Sequence, residues 1–264
     1  MRVKRRIFSG AVLEQEVFTV PDTTRDIKNA EYRPRFADEG ERAGHREAIS
    51  RRNFERKVNA NFGPHSLYST LTMSNDYEVH TFDDARRMLN NFIRRLQYVC
   101  PEMQAVAVMG RGKGTNRIHF HLITNGVTRA QIAAKWVAGD VVRIENLRAH
   151  NIYNGVDHGR DYTGLARYLF DHWTPEQGGH RWKQTKNLKT PEREAAAAVN
   201  RNYTVSKPPR APKGYRLVDA RENAFGYLWF LYVKNCDEGD VADAGKRMNK
   251  AGRAGARPLQ GRGT

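Results

Sequence analysis

Two histidines stand one residue apart in the mainly apolar run RIHFHLITN, which begins at Arg117. Successive side chains of a β-strand point to opposite faces, so residues i and i+2 share a face. The alternation predicts that Ile118, Phe120 and Leu122 face a core and that His119 and His121 lie side by side on the other face. A pair of neutral imidazoles is a suitable start for a metal site.

The segments before this strand predict its partner and the turn between them. QAVAVM (104–109) reads as a strand, and GRGKGTN then forms the tip of a hairpin. The glycines of that loop resemble a phosphate cradle, but the G-x-x-x-x-G-K-[ST] order is missing. We therefore expect no P-loop and no nucleotide cofactor.

The neighbouring segments predict the rest of a sheet. SLYSTLTM (66–73) is a strand by alternation, and 81–99 is an amphipathic helix capped by Thr81. TRAQIAAKWVAG (128–139) carries a capping-box pattern and is expected to end at Gly139, before a strand at 140–145. Strand, helix, strand, strand, helix, strand indicates an α+β fold with a five-stranded antiparallel, ferredoxin-like or RNA-recognition-like sheet that keeps one face open.

Flanking segments extend this unit. Helices are expected at 46–62 and 161–173, and a strand at 224–233. We divide the chain into four parts: a basic N-terminal arm (1–60), a central domain (61–192), a C-terminal extension that packs on it (193–243), and a disordered basic tail (244–264).

The chain is strongly basic, with 45 Lys and Arg against 29 Asp and Glu, a net charge of +16 and a pI near 10.1. Such a field attracts polyanions, and nucleic acid is the first candidate. Cys100 and Cys236 are too few for a disulfide framework. No apolar run approaches the ~18 residues of a membrane span. We expect a soluble, intracellular protein.

Four motifs in order carry a family resemblance: YSTLT (68–72), RIHFHLI (117–123), GLARYLFDH (164–172) and RWKQTKNLK (181–189). Together they resemble the HUH endonucleases, and in particular the rolling-circle replication initiators of bacterial plasmids, phages and integrative elements. The likeness covers about residues 3–190, because the opening KRRIFSGAVLEQEVF is also similar to those proteins. H-x-H alone is weak; the ordered set is specific.

The resemblance implies an activity. His119 and His121 would hold Mg²⁺ or Mn²⁺, and a tyrosine would attack the scissile phosphate of origin DNA, single-stranded or supercoiled. The products are a 5′-phosphotyrosine and a free 3′-OH, and the exchange is reversible without ATP. Since the chain has no Walker motif, a host helicase would separate the strands. The compartment implied is the cytoplasm of a bacterial host.

Tyr168 matches the family position of the nucleophile. Tyr162, the alternative, is six residues earlier, about 240° around a helix, so both cannot face the metal.

The chain departs from its apparent relatives at two places. Their acidic third ligand is replaced by Met109 and Gly110, and their Lys three residues after the tyrosine is replaced by Asp171. Asp171 and His172 share a helix face with Tyr168. We hypothesise that His172, or next Asp171, supplies the third ligand.

Basic residues with an interleaved aromatic suit single-stranded DNA, whose phosphates are neutralised and whose bases stack. The candidates for DNA contact are Arg111, Lys113, Arg117, Arg167, Arg181, Trp182, Lys183, Lys186 and Lys189.

Two other interpretations stay open. One is the same chemistry in a relaxase or single-tyrosine transposase, although relaxases place the tyrosine ahead of H-x-H. The other is a non-catalytic origin-binding or regulatory protein whose active site has decayed.

Overall fold

The structure is a computed structural model of the chain. It describes residues 1–20, 38–112, 114, 116–178, 180–223 and 225–235. The expected tail at 244–264 and the candidate Lys113 lie outside these residues.

The described chain is α+β, with antiparallel sheets and four α-helices. The helices are α1 (Glu39–Asn61), α2 (Phe82–Val99), α3 (Arg129–Lys135) and α4 (Thr163–Phe170). The strands are β1 (Arg2–Ser9), β2 (Val12–Thr19), β3 (Leu67–Leu71), β4 (Gln104–Arg111), β5 (Ile118–Asn125), β6 (Val141–Asn146), β7 (Ile152–Tyr153), β8 (Val156–Asp157), β9 (Lys183–Gln184), β10 (Glu192–Arg193), β11 (Ala197–Ala198), β12 (Tyr215–Glu222) and β13 (Leu228–Lys234).

The central sheet has five strands in the order β6-β3-β5-β4-β9, and all its neighbours pair antiparallel. Helix α2 follows the predicted position, and α3 begins where it was predicted to begin. The Thr81 side chain accepts a hydrogen bond from the Asp84 amide, and Thr128 and Gln131 form the expected capping box. Leu89, Phe92 and Leu96 of α2 pack on the β5 face that carries Ile118, Phe120 and Leu122. This part of the sequence prediction is confirmed.

The prediction that one face of the central sheet is open is wrong, because α1 and α4 cover much of that face. Phe54, Val58 and Phe62, spaced four residues apart, pack with Leu169 and Phe170 over the opposite side of the sheet. Ile123, which shares the histidine face by the two-residue period of β5, lies in this second core. The histidines therefore stand at the margin of a covered face.

The first twenty residues form part of a second sheet, with the order β10-β1-β2-β13-β12 and with β11 also pairing with β1. Its β13 comes from the C-terminal segment and pairs with β2. Arg56 of α1 reaches this sheet and donates hydrogen bonds to Glu14 at 2.6 and 2.8 Å and to Glu16 at 2.8 Å. All three are buried, so α1 ties the two sheets together through an ion network and a hydrophobic face.

Some element ends differ from the prediction. Helix α3 ends at Lys135 rather than near Gly139, because Trp136 turns inward and packs against Phe92 and Phe120. Helix α4 is shorter than the expected 161–173. None of the described helices is both long enough and apolar enough to cross a lipid bilayer.

Candidate metal centre and its tyrosine

The two predicted histidines lie on β5, a central strand of the five-stranded sheet. His119 pairs with Gly110 of β4, and His121 pairs with Val108 on one side and with Thr70 of β3 on the other. Their rings meet edge to face with centroids 4.7 Å apart. The strand's two-residue period therefore brings them together as the sequence predicts.

A third histidine completes the cluster. His172 follows the last turn of α4, and its ring centroid lies 4.4 Å from that of His121 and 5.7 Å from that of His119. One ring nitrogen of each histidine lies within 4.8 Å of those of the other two. Three nitrogen donors from a strand and a helix end can thus converge on one cation.

Hydrogen bonds occupy one nitrogen of two of these rings. His172 Nδ1 lies 2.7 Å from the Tyr168 carbonyl oxygen, to which it can only donate. His121 Nδ1 lies 2.8 Å from the Tyr68 hydroxyl and 3.2 Å from Thr70 Oγ1. His121 Nε2 is buried and has no hydrogen-bond partner within the described chain. A buried ring nitrogen of this kind can coordinate a metal ion.

The surroundings keep two imidazoles neutral. Burial, and to a smaller extent the charges of the nearby His172 and His119, lower the pKa of His121 to about 3. Burial also lowers the pKa of His119, although a hydrogen bond with the Arg117 backbone opposes that effect. Neutral imidazole is the form that binds metal, so both rings are ready as ligands at neutral pH.

Gly110 makes room for the third histidine. A Cβ atom at this position would lie 2.7 Å from His172 Cδ2 and 3.3 Å from His119 Nε2. Real Cβ atoms do not approach other carbons that closely, so any side chain here would displace the His172 ring. The His172 ring therefore takes up the space beside Gly110 of β4.

The two candidate tyrosines have different surroundings. Tyr168 is 50% exposed, and its ring centroid lies 5.6 Å from that of His121 and 4.4 Å from that of His172. Tyr162 is 2% exposed and donates its hydroxyl proton to the Arg148 carbonyl at 3.0 Å. The structure brings Tyr168 to the histidine cluster and places Tyr162 in the core beneath α4.

Asp171, the second candidate for third ligand, lies outside the cluster. Its carboxylate pairs with Arg51 of α1 at 3.0 Å. Two further ion pairs between α1 and the region of α4 are seen among the described residues: Glu47 with Arg181 at 3.0 Å and Glu55 with Arg167 at 2.8 Å. Glu47, Arg51 and Glu55 are spaced four residues apart, so they form one stripe along α1.

Several predicted DNA-binding residues make contacts within the protein. Arg111 lies over the Phe82 ring and donates to the His80 and Asn116 carbonyls. Arg117 donates to the Met73 carbonyl at 2.8 Å and pairs with Glu78. Arg167 and Arg181 belong to the α1 ion pairs. The positions of these four arginines are fixed by the fold.

In the segment after α4, residues that contact the rest of the fold are interspersed with exposed lysines. Trp182 packs against Phe54 with ring centroids 4.7 Å apart, and Asn187 donates to the Glu102 and Met103 carbonyls. Lys183 and Lys186 are exposed between Trp182 and Asn187, and Lys189, whose amide donates to Asn61 Oδ1 at 2.7 Å, is exposed beyond them. They are therefore held at fixed places along the β4 edge of the sheet.

The YSTLT segment predicts no role for Tyr68 or Thr70, and Gly110 is recognisable in the sequence only as the loss of an acid. The two-residue period places Tyr68 and Thr70 on one face of β3. What the sequence lacked was the register, which sets Thr70 directly opposite His121.

No family model matches the chain. Comparison with curated proteins gave no match, and comparison with solved structures gave none either.

Proposed function

We propose that the protein is a metal-dependent DNA-nicking and joining enzyme of the HUH type that initiates rolling-circle replication. One observation carries the proposal: a half-exposed tyrosine lies beside three histidines whose nitrogens converge within 4.8 Å. The sheet, with the H-x-H pair on a central strand and the tyrosine on a helix packed against it, is compatible with the palm of that class.

His119, His121 and His172 would hold the cation. The donor set fits one, because His121 Nε2 is a buried nitrogen without a partner and two of the rings are neutral. Imidazole nitrogen suits Mn²⁺ and other transition metals better than Mg²⁺, which prefers oxygen ligands. When bound, the cation would polarise and orient the scissile phosphate.

Tyr168 supplies the nucleophile in this proposal. Its phenol oxygen forms a bond to phosphorus as the bond from phosphorus to the 3′ oxygen breaks. The phenol proton passes to solvent, to which Tyr168 is open, and the leaving 3′ oxygen takes up a proton. Resealing reverses each change, because one phosphodiester replaces another and no external energy source is required.

In this proposal, positive charge along the edge of the central sheet holds the DNA. Lys183, Lys186 and Lys189 are exposed along the sheet edge. Phosphates of a single strand are the expected ligands of such a row. The origin, the host helicase that would open it and a bacterial cytoplasm are parts of the same proposal.

The proposal is tested by covalent adduct formation. The purified protein is incubated with labelled single-stranded oligonucleotides that tile its own replicon, with Mn²⁺ or with EDTA, and resolved on a denaturing gel. We expect an Mn²⁺-dependent protein–DNA band that is absent in Tyr168→Phe and present in Tyr162→Phe. Tight, salt-sensitive binding of the whole oligonucleotide set without any covalent band would contradict the enzyme and favour a DNA-binding protein.

A further inference from the structure

The hydroxyl of Tyr68 lies between a metal ligand and the proposed nucleophile. Its oxygen is 2.8 Å from His121 Nδ1, and Thr70 Oγ1 donates to it at 3.4 Å. Burial, and to a smaller extent the neighbouring Tyr168 hydroxyl, raise the pKa of Tyr68 to about 12. The ring itself lies nearly parallel to that of His121, with an interplanar angle of 9°.

A phenol has one proton to donate and two lone pairs that accept. Tyr68 can satisfy all three partners in one arrangement. It accepts from His121 Nδ1–H and from the Thr70 hydroxyl, and it donates to the Tyr168 oxygen. The opposite arrangement, with Tyr68 donating to His121 Nδ1, would put the imidazole proton on Nε2 and leave it buried without an acceptor in the described chain.

The direction of the first hydrogen bond determines whether His121 can bind a cation. A proton on Nδ1 leaves the Nε2 lone pair free toward the other two histidines. In metal sites, a ligating histidine donates its second N–H to a fixed acceptor, which orients the ring and selects the tautomer. His172 already does so through the Tyr168 carbonyl.

We propose that Tyr68 is a positioning residue that holds His121 in its Nδ1–H tautomer and donates a hydrogen bond to Tyr168. The inference rests on the proposed function for the role of Tyr168 as nucleophile; the tautomer of His121 does not depend on it. One hydroxyl thereby orders the metal ligand and the attacking group relative to each other. The bond to the Tyr168 oxygen also becomes stronger when that oxygen carries negative charge.

The first test uses the metal-free protein in EDTA and needs no DNA. Long-range ¹H–¹⁵N spectra of the histidine rings report which nitrogen of His121 carries the proton, and [ζ-¹³C]tyrosine spectra report hydrogen bonding at Tyr168. Tyr68→Phe keeps the buried ring and removes only the hydroxyl. Thr70→Val removes the longer of the two hydroxyl contacts to His121 Nδ1, 3.2 Å against 2.8 Å, and so tests whether the Tyr68 hydroxyl alone sets the tautomer; Tyr168→Phe assigns the Tyr168 resonance.

We expect the Nδ1–H tautomer in the wild type and in Thr70→Val, and a mixture of tautomers in Tyr68→Phe with a shifted Tyr168 resonance. Removal of such a partner typically weakens metal binding about 10–100-fold, which Mn²⁺ titration followed by EPR measures. An Nε2–H tautomer in the wild type would overturn the inference. Spectra and Mn²⁺ affinity unchanged by Tyr68→Phe would overturn it equally.

The second test separates this inference from the proposed function. Single-turnover adduct formation is measured at saturating Mn²⁺, with rate and oligonucleotide affinity determined separately. Positioning of Tyr168 predicts a slower rate for Tyr68→Phe at unchanged oligonucleotide affinity. Equal rates of adduct formation for the wild type and Tyr68→Phe would refute the positioning of Tyr168 by Tyr68, and the proposed enzymatic activity would be unaffected. If the wild type forms no adduct, the proposed function fails, and the spectra still decide whether Tyr68 orders His121 and Tyr168.

Discussion

At the scale of single residues, the candidate metal centre differs from an oxygen-rich cation site in having three imidazoles. His172 lies just after the end of α4, and the adjacent Asp171 forms an ion pair with Arg51. A donor set made of nitrogen alone favours Mn²⁺ over Mg²⁺. Loss of any one of the three imidazoles should therefore lower the affinity for Mn²⁺.

We predict that His172→Ala weakens Mn²⁺ binding at least tenfold, because one of three protein ligands is lost. Asp171→Ala is the matched control: it removes a neighbouring polar group that makes an ion pair with α1, and it should change the affinity less than about twofold. Mn²⁺ affinity of both variants can be measured by calorimetry. An equal loss in both variants would place Asp171, rather than His172 alone, among the ligands.

Gly110 provides a second prediction at this scale. A carboxylate at this position would stand against His172, so Gly110→Asp alone should displace that ring and lower Mn²⁺ affinity. In a His172→Ala background the space is free, and the new carboxylate should instead raise the affinity above that of His172→Ala. The sign of the effect therefore reverses between the two backgrounds.

The reversal is measured as a double-mutant cycle with Mn²⁺ affinity as the readout. Gly110→Ala in both backgrounds controls for the added Cβ without a new ligand. If Gly110→Asp lowers affinity by the same factor with and without His172, the two positions do not share the space, and the proposed exchange of an acid for a histidine is wrong.

The sequence predicts the pair on β5 well because a strand's period depends on local geometry alone. The convergence of His172 and the contacts of Tyr68 depend on how α4 packs and on the register of β3 with β5. Those are long-range relations that no spacing in the chain encodes. Gly110 could be recognised only as a departure, since its neighbour in space is sixty-two residues away in sequence.

At the scale of elements, α4 carries both Tyr168 and His172, and α1 holds α4 in place. Helix α4 has only eight residues, which is too short to be stable in isolation. Phe54 of α1 contacts Phe170 of α4 and Trp182 of the segment that follows, and the three ion pairs flank this contact. The position of the proposed nucleophile thus depends on a helix about 110 residues earlier in the chain.

We predict that Phe54→Ala lowers the free energy of unfolding by about 3–5 kcal/mol, the usual cost of emptying a fully buried phenylalanine site. Tyr98→Ala removes an aromatic ring that is 88% exposed at the end of α2 and should change stability by less than about 0.5 kcal/mol. Chemical denaturation measures both. A loss below about 1 kcal/mol for Phe54→Ala would contradict the role of α1 as the support of α4.

The order of elements from β3 to β6 follows from local patterns, and the structure confirms it. The N-terminal hairpin was not recognisable as a hairpin, because EQEV reads as a solvated segment. Its Glu14 and Glu16 are in fact buried and paired with Arg56. A charged residue in a sequence pattern usually indicates a solvent-exposed position. Here the charges are buried in an ion pair, and only the position of the partner reveals this.

At the scale of the whole molecule, the net charge of +16 produces a field that attracts polyanions, but only part of that charge is free to bind the proposed DNA. Arg56 is buried in an ion network, and Arg111 and Arg117 are bound to backbone carbonyls. Exposed lysines on anchored backbone are better phosphate ligands, because the fold fixes their spacing and leaves their ammonium groups hydrated.

We therefore predict that replacing Lys183, Lys186 and Lys189 together by Gln weakens single-stranded DNA binding and makes it less sensitive to salt. Each phosphate contact contributes about 0.7 to the slope of log K against log salt for a single strand, so the slope should fall by about 2. Arg87, Arg94 and Lys135 replaced by Gln remove the same charge from α2 and α3, away from the β9 edge of the central sheet that the lysine row follows. Fluorescence anisotropy from 50 to 300 mM salt compares the two variants. Equal slopes for both would mean that total charge, and not the row of lysines beside α4, binds the strand.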